Sequence, residues 1–85
     1  MNQAEILERL IGLVHDAAPP GLALDGSTQL FEGGLGLDSF GAVDLIGRIE
    51  EALAMQFVDD DFAPEHFTLG TLAEIVAKRR TEAAR

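Results

Sequence analysis

The chain has 85 residues, no cysteine and a formal net charge of −9. This length supports a single domain, and the lack of cysteine excludes disulfides, thiolate metal sites and a cysteine nucleophile. Residues 1–77 hold only Arg9 and Arg48 as basic residues against fourteen of the fifteen acids, so this part carries 2 − 14 = −12. Such a surface repels nucleic acid and anionic membranes and attracts basic protein partners. Acidity alone is equally compatible with a protein that is merely kept soluble.

No segment approaches the ~20 apolar residues of a membrane span, and the N-terminus lacks the basic start of a signal peptide. We therefore expect a cytoplasmic protein that does not associate with membranes. The two histidines, His15 and His66, are not part of a cluster with metal-ligand spacing, so we expect no resident metal.

The first predicted element is an amphipathic helix over residues 3–17. Asn2 is suited to cap its start, with Glu5 three residues later as in a capping box, and the prolines and glycine at 19–21 end it. The apolar stripe that defines this helix recurs at helical spacing and consists of Ile6, Leu7, Leu10, Ile11 and Val14.

The second predicted element is a long loop over residues 18–38, which contains two prolines and five glycines. A loop of this length inside a small domain is usually functional or docked on the core. Docking is favoured by six large apolar residues: Leu22, Leu24, Leu30, Phe31, Leu35 and Leu37.

A second helix is predicted over residues 39–56, with Asp38 or Ser39 as its N-cap. Its core side consists of Ala42, Leu45, Ile46, Ile49 and Leu53, with Val43 at the border. The acids at 59–61, which read as a helix-capping cluster, lead into a short helix over residues 62–67 with Pro64 in its first turn.

Thr68 is predicted to cap the last helix, whose apolar stripe is Leu69, Leu72, Ile75 and Val76. The basic residues at 78–80 lie toward its C-terminal end, where the helix dipole favours positive charge. The predicted fold class is all-α: a small helical bundle of three principal helices and one short helix, with a long loop between the first two. We expect one domain over residues 1–80, a disordered tail over 81–85, and a monomer.

Ser39 is the candidate functional residue, because it lies where a glycine-rich loop meets a helix N-terminus. Unpaired N–H groups and the positive end of the helix dipole stabilise a phosphate there. The simpler alternative is that Ser39 only caps the helix. Beside it, Phe40, Asp44, Gly47 and Glu51 are spaced to share one stripe opposite the core side. An exposed aromatic next to a candidate modification site favours a partner surface, although Phe40 could instead fold back under the loop.

The run from Leu37 through Phe40, followed by Val43, Asp44 and Leu45, resembles the Asp-Ser-Leu signature of acyl and peptidyl carrier proteins. The likeness covers most of the chain: an amphipathic helix, a long apolar loop, a serine that opens an acidic helix, and a short third helix. Residues 67–69 also look like the family's entry to its final helix, although here no residue separates Phe67 from Thr68.

The resemblance implies that Ser39 receives 4′-phosphopantetheine from coenzyme A, with Asp38 flanking it, and that the thiol of the arm carries a thioester. It further implies that the acids Asp38, Asp44, Glu50 and Glu51 dock basic partner surfaces. The stripe defined by helical spacing adds Phe40 and Gly47 to this partner-binding face. The partners would be a phosphopantetheinyl transferase, a loading ligase or acyltransferase, and downstream biosynthetic enzymes. The magnesium ion used in the transfer belongs to the transferase.

Two departures from the family pattern bear on the pathway. Phe40 replaces the usual leucine, and Gly47 replaces the larger apolar residue that many fatty-acid carriers have there. In these two positions the sequence looks more like the free-standing carriers of specialised pathways, including aminoacyl carriers. The cargo stays open between acyl, aminoacyl and peptidyl groups, because the loading enzyme chooses it.

Two other classes of function remain as alternatives. An unmodified acidic helical adaptor would bind a basic partner without any arm on Ser39. A small hydrolase would need His15 or His66 beside Ser39 as a base. Nothing in the sequence places either histidine near Ser39. Glycine patterns near Ser39 do not complete a dinucleotide loop or a nucleophile elbow. The carrier hypothesis is therefore the favoured one, and the protein is not expected to be an enzyme.

Overall fold

Three α-helices account for most of the chain that the computed structural model describes, which is residues 2–31, 33–58, 61 and 68–83. Helix α1 spans Gln3–Val14 and continues as a 3₁₀ turn, His15–Ala17; α2 spans Ser39–Leu53 and α3 spans Leu69–Ala83. These residues contain no strand, only an isolated bridge between Gln29 and Thr68. The predicted all-α class is confirmed, whereas the predicted short helix at 62–67 lies outside the described residues.

Helix α1 begins with the predicted capping box. The Asn2 side chain accepts a hydrogen bond from the Glu5 N–H at 2.9 Å, and the Glu5 carboxylate accepts one from the Asn2 N–H at 3.3 Å. These bonds satisfy two donors that a bare helix end would leave unpaired. The regular helix stops at Val14 rather than residue 17, because the last predicted turn is tightened to 3₁₀.

The core lies between the three helices, and α1 packs mainly against α3. The long loop docks on this core as predicted, since Leu30 and Leu35 are buried and the other four large apolar loop residues are partly buried. Burying six such groups stabilises the loop by the hydrophobic effect. The most deeply buried side chains are Ile6, Leu10, Ile49, Leu53, Leu69 and Val76.

The long loop also holds the start of α3. The N–H of Leu69 donates to the Thr28 carbonyl at 3.1 Å, and the N–H of Gly70 donates to the Gly26 carbonyl at 2.8 Å. A Cβ at residue 70 would lie 2.7 Å from the Gly26 oxygen, so this approach requires glycine. The predicted cap is also present, because Thr68 Oγ1 accepts from the Thr71 N–H.

Helix α2 ends at Leu53, three residues earlier than predicted. Ala54 adopts a left-handed conformation with φ of 52°, and its N–H donates to the Glu50 carbonyl. This reversal turns Met55 into the core, where it is 4% exposed. Arg80 on α3 then donates from Nε to the Leu53 carbonyl at 3.0 Å, which satisfies one of the unpaired carbonyls at the end of α2.

A buried ion pair fixes the segment after α2. The Asp61 carboxylate accepts from Arg79 Nε at 2.9 Å and from Arg79 Nη2 at 2.7 Å, and it also accepts from the Val58 N–H. The helix that Asp61 was predicted to help cap lies outside the described residues, and the observed contact of Asp61 is with Arg79, which was expected to complement the dipole of α3. Helix α3 continues to Ala83.

Candidate functional site

A tight loop sets the position of Ser39. The N–H of Leu35 donates to the Gln29 carbonyl at 2.8 Å, and the N–H of Leu37 donates to the Leu30 carbonyl at 3.0 Å. Gly34 packs against the Gln29 backbone with no room for a Cβ. The residues just before α2 are therefore fixed by backbone hydrogen bonds to the part of the loop around Gln29 and Leu30.

Ser39 is the first residue of α2, and Asp38 is the N-cap, accepting from the Gly41 N–H at 2.7 Å. Asp38 thus takes the capping role that the sequence left open between the two residues. The side chain of Ser39 is exposed and has no hydrogen-bond partner among the described residues, nor have the N–H groups of Ser39 and Phe40. Two free donors at the positive end of a helix favour a phosphate on this serine.

The other serine of the chain, Ser27, is in a different situation. Its hydroxyl donates to Asp25 Oδ1 at 2.6 Å, and its N–H donates to the same oxygen at 2.8 Å. These hydrogen bonds lower the pKa of Asp25 and close a small turn. Because the sequence holds only these two serines, the geometry singles out Ser39 as the serine whose hydroxyl has no hydrogen-bond partner among the described residues.

The predicted stripe on α2 is exposed along its whole length. Phe40 is 86% exposed and does not fold back under the loop. Asp44, Gly47 and Glu51 are exposed as well, and a Cβ at Gly47 would meet nothing within 4 Å. Val43 was predicted at the border of the core but is 69% exposed, which widens the apolar part of this surface.

Two charged side chains of α2 make contacts that the sequence did not reveal. Glu50 is half-buried and its carboxylate accepts from the Phe57 N–H at 3.0 Å, so it holds the segment after α2 rather than extending the exposed stripe. Asp44 is paired with Arg48, with 2.9 Å between Oδ2 and Nε. An i, i+4 carboxylate–arginine spacing was the available signal for the second pair.

A cavity of about 350 Å³ opens beside Ser39, between the long loop, α2 and α3. Apart from the serine, its lining is apolar: Leu30, Phe31, Leu37, Ala42, Val43, Leu45, Ile46 and Leu72. Sequence reasoning missed this cavity, because it depends on how the loop packs over the helices.

Comparison with known proteins decides the family. Residues 4–78 match the family model described as a phosphopantetheine attachment site. The chain belongs to this family of acyl and peptidyl carrier proteins. No curated protein matches it. As a member, the carrier domain bears covalently attached 4′-phosphopantetheine and works with a phosphopantetheinyl transferase and partner enzymes.

Membership also separates the three classes of function. Carrier domains of this family are not themselves catalytic, so a hydrolase is not supported. His66, one of the two histidines considered as a base, lies outside the described residues. The described part of the carrier domain has no group of three or more potential metal ligands. Within the same residues, no helix has the length and apolar character needed to cross a bilayer.

Proposed function

We propose that Ser39 bears the phosphopantetheine arm and that the domain presents a thioester-bound group to partner enzymes. The observation that carries this proposal is the contrast between the two serines. Ser39 is exposed, opens α2 and has no hydrogen-bond partner among the described residues, whereas the Ser27 hydroxyl is held by Asp25. Asp38 flanks the attachment site and keeps the first turn of α2 in place through Gly41.

The chemistry requires only an accessible hydroxyl from this chain. The Ser39 Oγ forms a bond to the phosphorus of coenzyme A that carries the pantetheine, the bond from that phosphorus to adenosine 3′,5′-bisphosphate breaks, and the hydroxyl proton passes to a base of the transferase. The N–H groups at the start of α2 lie at the end of the helix where a phosphodiester is stabilised. The arm supplies the thiol that holds the cargo.

Intact-mass spectrometry after incubation with coenzyme A and a phosphopantetheinyl transferase tests the proposal. We expect the wild type and Ser27→Ala to gain one phosphopantetheine group, and Ser39→Ala to gain none while keeping its helical circular dichroism. A wild type that stays unmodified by a transferase active on another carrier would support the unmodified adaptor instead.

The exposed stripe of α2 is the proposed docking surface for these partners. It begins beside Ser39, so a protein that reaches the arm meets Phe40, Asp44, Gly47 and Glu51 along one face. Phe40 acts as an apolar anchor, and Asp38, Asp44 and Glu51 attract basic residues. Glu50 was expected to share that role, but its bond to the Phe57 N–H supports a structural one. Rim charges change mainly the association rate, whereas a buried aromatic anchor is worth about 2 kcal/mol or more.

Substitutions on two faces test the docking surface. Phe40→Ala should raise KM for the transferase or the loading enzyme even at high salt, and Glu51→Lys should raise KM at low salt only. Glu8→Lys on the exposed face of α1 is the matched control for the charge reversal. If the α1 variant slows loading and the α2 variants do not, the docking surface lies elsewhere.

The proposed pathway is a specialised biosynthetic one, served by a free-standing carrier and a dedicated ligase or acyltransferase. Support comes from two departures from the family pattern on the docking face. Phe40 is larger than the usual leucine, and Gly47 leaves a gap where many fatty-acid carriers have a larger apolar residue. Both acyl and aminoacyl groups fit a thioester carrier. The apolar cavity beside Ser39 favours an acyl group with an apolar chain.

A further inference from the structure

Arg48 is the one basic residue, counting Lys and Arg, between positions 10 and 77 of an otherwise acidic sequence. It lies on α2, nine residues after Ser39, which corresponds to about 14 Å along the helix. This places a cation at the edge of the stripe proposed to meet partners. A cation there weakens attraction to a uniformly basic partner surface, so its presence calls for an explanation.

The contact of Arg48 within the fold does not supply that explanation. Its Nε lies 2.9 Å from Asp44 Oδ2, but the two side chains are 61% and 64% exposed. Exposed pairs of this kind add little stability, because water screens them and two long side chains lose freedom. The recorded contact of the pair is at Nε, and no hydrogen bond from the two Nη groups to a described residue is present.

The surroundings of Arg48 form a recess in the surface. A groove of about 110 Å³ runs between the end of α1 and the first half of α2, with Asp44 and Arg48 among the residues that line it. The remaining lining is mostly apolar, and consists of Leu13, Val14, Leu37, Gly41 and Leu45. A carboxylate brought to this groove by a partner would find the free edge of the Arg48 guanidinium, which is suited to bidentate binding.

We propose that Arg48 is a specificity-determining residue that binds a carboxylate on the phosphopantetheinyl transferase, in a docking mode that rests on the function proposed above. The intramolecular pair then opens, and Asp44 is released to a cation of the same partner. Two intermolecular pairs replace one weak internal pair. The transferase surface that fits this carrier therefore has a carboxylate beside a basic residue, rather than an uninterrupted basic patch.

The test measures kcat and KM for phosphopantetheine transfer by the transferase of the source organism, for wild type, Arg48→Gln, Arg48→Glu and Arg48→Lys. Arg9→Gln and Arg9→Glu are the matched controls, because Arg9 is an exposed arginine on α1 and its loss changes the net charge equally. Thermal melts confirm that each variant folds.

We expect Arg48→Gln to raise KM about five- to tenfold with little change in kcat, Arg48→Glu to raise it further, and Arg48→Lys to recover part of the loss. The Arg9 variants should change KM less than about twofold. Arg48 variants that are modified as fast as or faster than wild type, or a loss shared equally with Arg9, would overturn the inference. A wild type that takes no arm at all would overturn the proposed function itself.

Discussion

The carboxylate of Asp61 is the buried charge on which the segment after α2 depends. It is 7% exposed, and its partner Arg79 is 15% exposed. Hydrogen bonding from Arg79, and then from the Val58 N–H, outweighs the effect of burial and holds the pKa of Asp61 below its ordinary value of 3.8. Because the folded-state pKa is lowered, the stabilisation is fully present above about pH 4 and is lost as the pH falls through the folded-state pKa.

Asp61→Asn should therefore lower the free energy of unfolding at neutral pH by about 3 kcal/mol, since it leaves the Arg79 charge without its carboxylate. Its stability should also fall less steeply than that of wild type below pH 4. Urea unfolding across a pH series measures both effects. Glu74→Gln, an exposed acid on α3, is the charge-matched control. Equal losses in the two variants would show that the pair contributes nothing beyond its charge.

Glycines within helices and loops give a prediction at the level of elements. Gly12 in α1 and Gly47 in α2 are exposed, and an added Cβ would meet nothing within 4 Å at either position. Alanine should stabilise each helix by about 0.5–1 kcal/mol. Gly34→Ala should instead destabilise the fold, because the new Cβ would collide with the Gln29 backbone.

Thermal melts of the three alanine variants measure whether Gly12→Ala and Gly47→Ala stabilise the fold and Gly34→Ala destabilises it. Loading rates of methionine variants then test whether the gap at Gly47 matters for docking. Gly47→Met should fold well yet raise KM for partners that fit the indented stripe, whereas Gly12→Met should load like wild type. If both methionine variants load normally, the indentation at Gly47 has no role in docking.

The three principal helices could be predicted from the sequence because their signals are local. The apolar period of α1, the Asn2–Glu5 capping box and the Thr68 cap each involve residues within one or two turns. The end of α2 could not be placed, because its cause is tertiary: Met55 turns into the core and Arg80 reaches across from α3.

The candidate site, too, could be predicted where its signals are local and could not where they are tertiary. The exposed stripe of α2 followed from helical spacing, and Phe40 is exposed as expected. The pairing of Asp61 with Arg79 joins residues eighteen positions apart, so no local pattern indicates it. The cavity beside Ser39 depends on how Phe31 and Leu37 pack over α2, and the engagement of Glu50 depends on the turn that follows it.

At the scale of the whole molecule, the dominant feature is the net charge of −9 on 85 residues. Like charges on a small domain repel one another and favour the expanded state. Sodium chloride screens this repulsion over a Debye length of about 10 Å at 0.1 M. We expect moderate salt to stabilise the fold by on the order of 1 kcal/mol, which corresponds to about 4–8 °C in Tm.

Thermal melts across a salt series measure this gain. A variant in which the exposed acids Glu8, Glu51 and Glu74 are replaced by Gln should show a smaller gain, because less repulsion remains to be screened. A Tm that falls steadily with sodium chloride in the wild type would contradict the expectation.

The attachment of the arm to Ser39 is tested most directly by locating it in the modified protein. Trypsin cannot separate the two serines, because no Lys or Arg lies between residues 10 and 47. A glutamate-specific protease can, since cleavage after Glu8, Glu32 and Glu50 gives one fragment with Ser27 and another with Ser39. We predict that tandem mass spectrometry finds the phosphopantetheine group on the fragment of residues 33–50 alone. Its presence on the fragment of residues 9–32 would contradict the account.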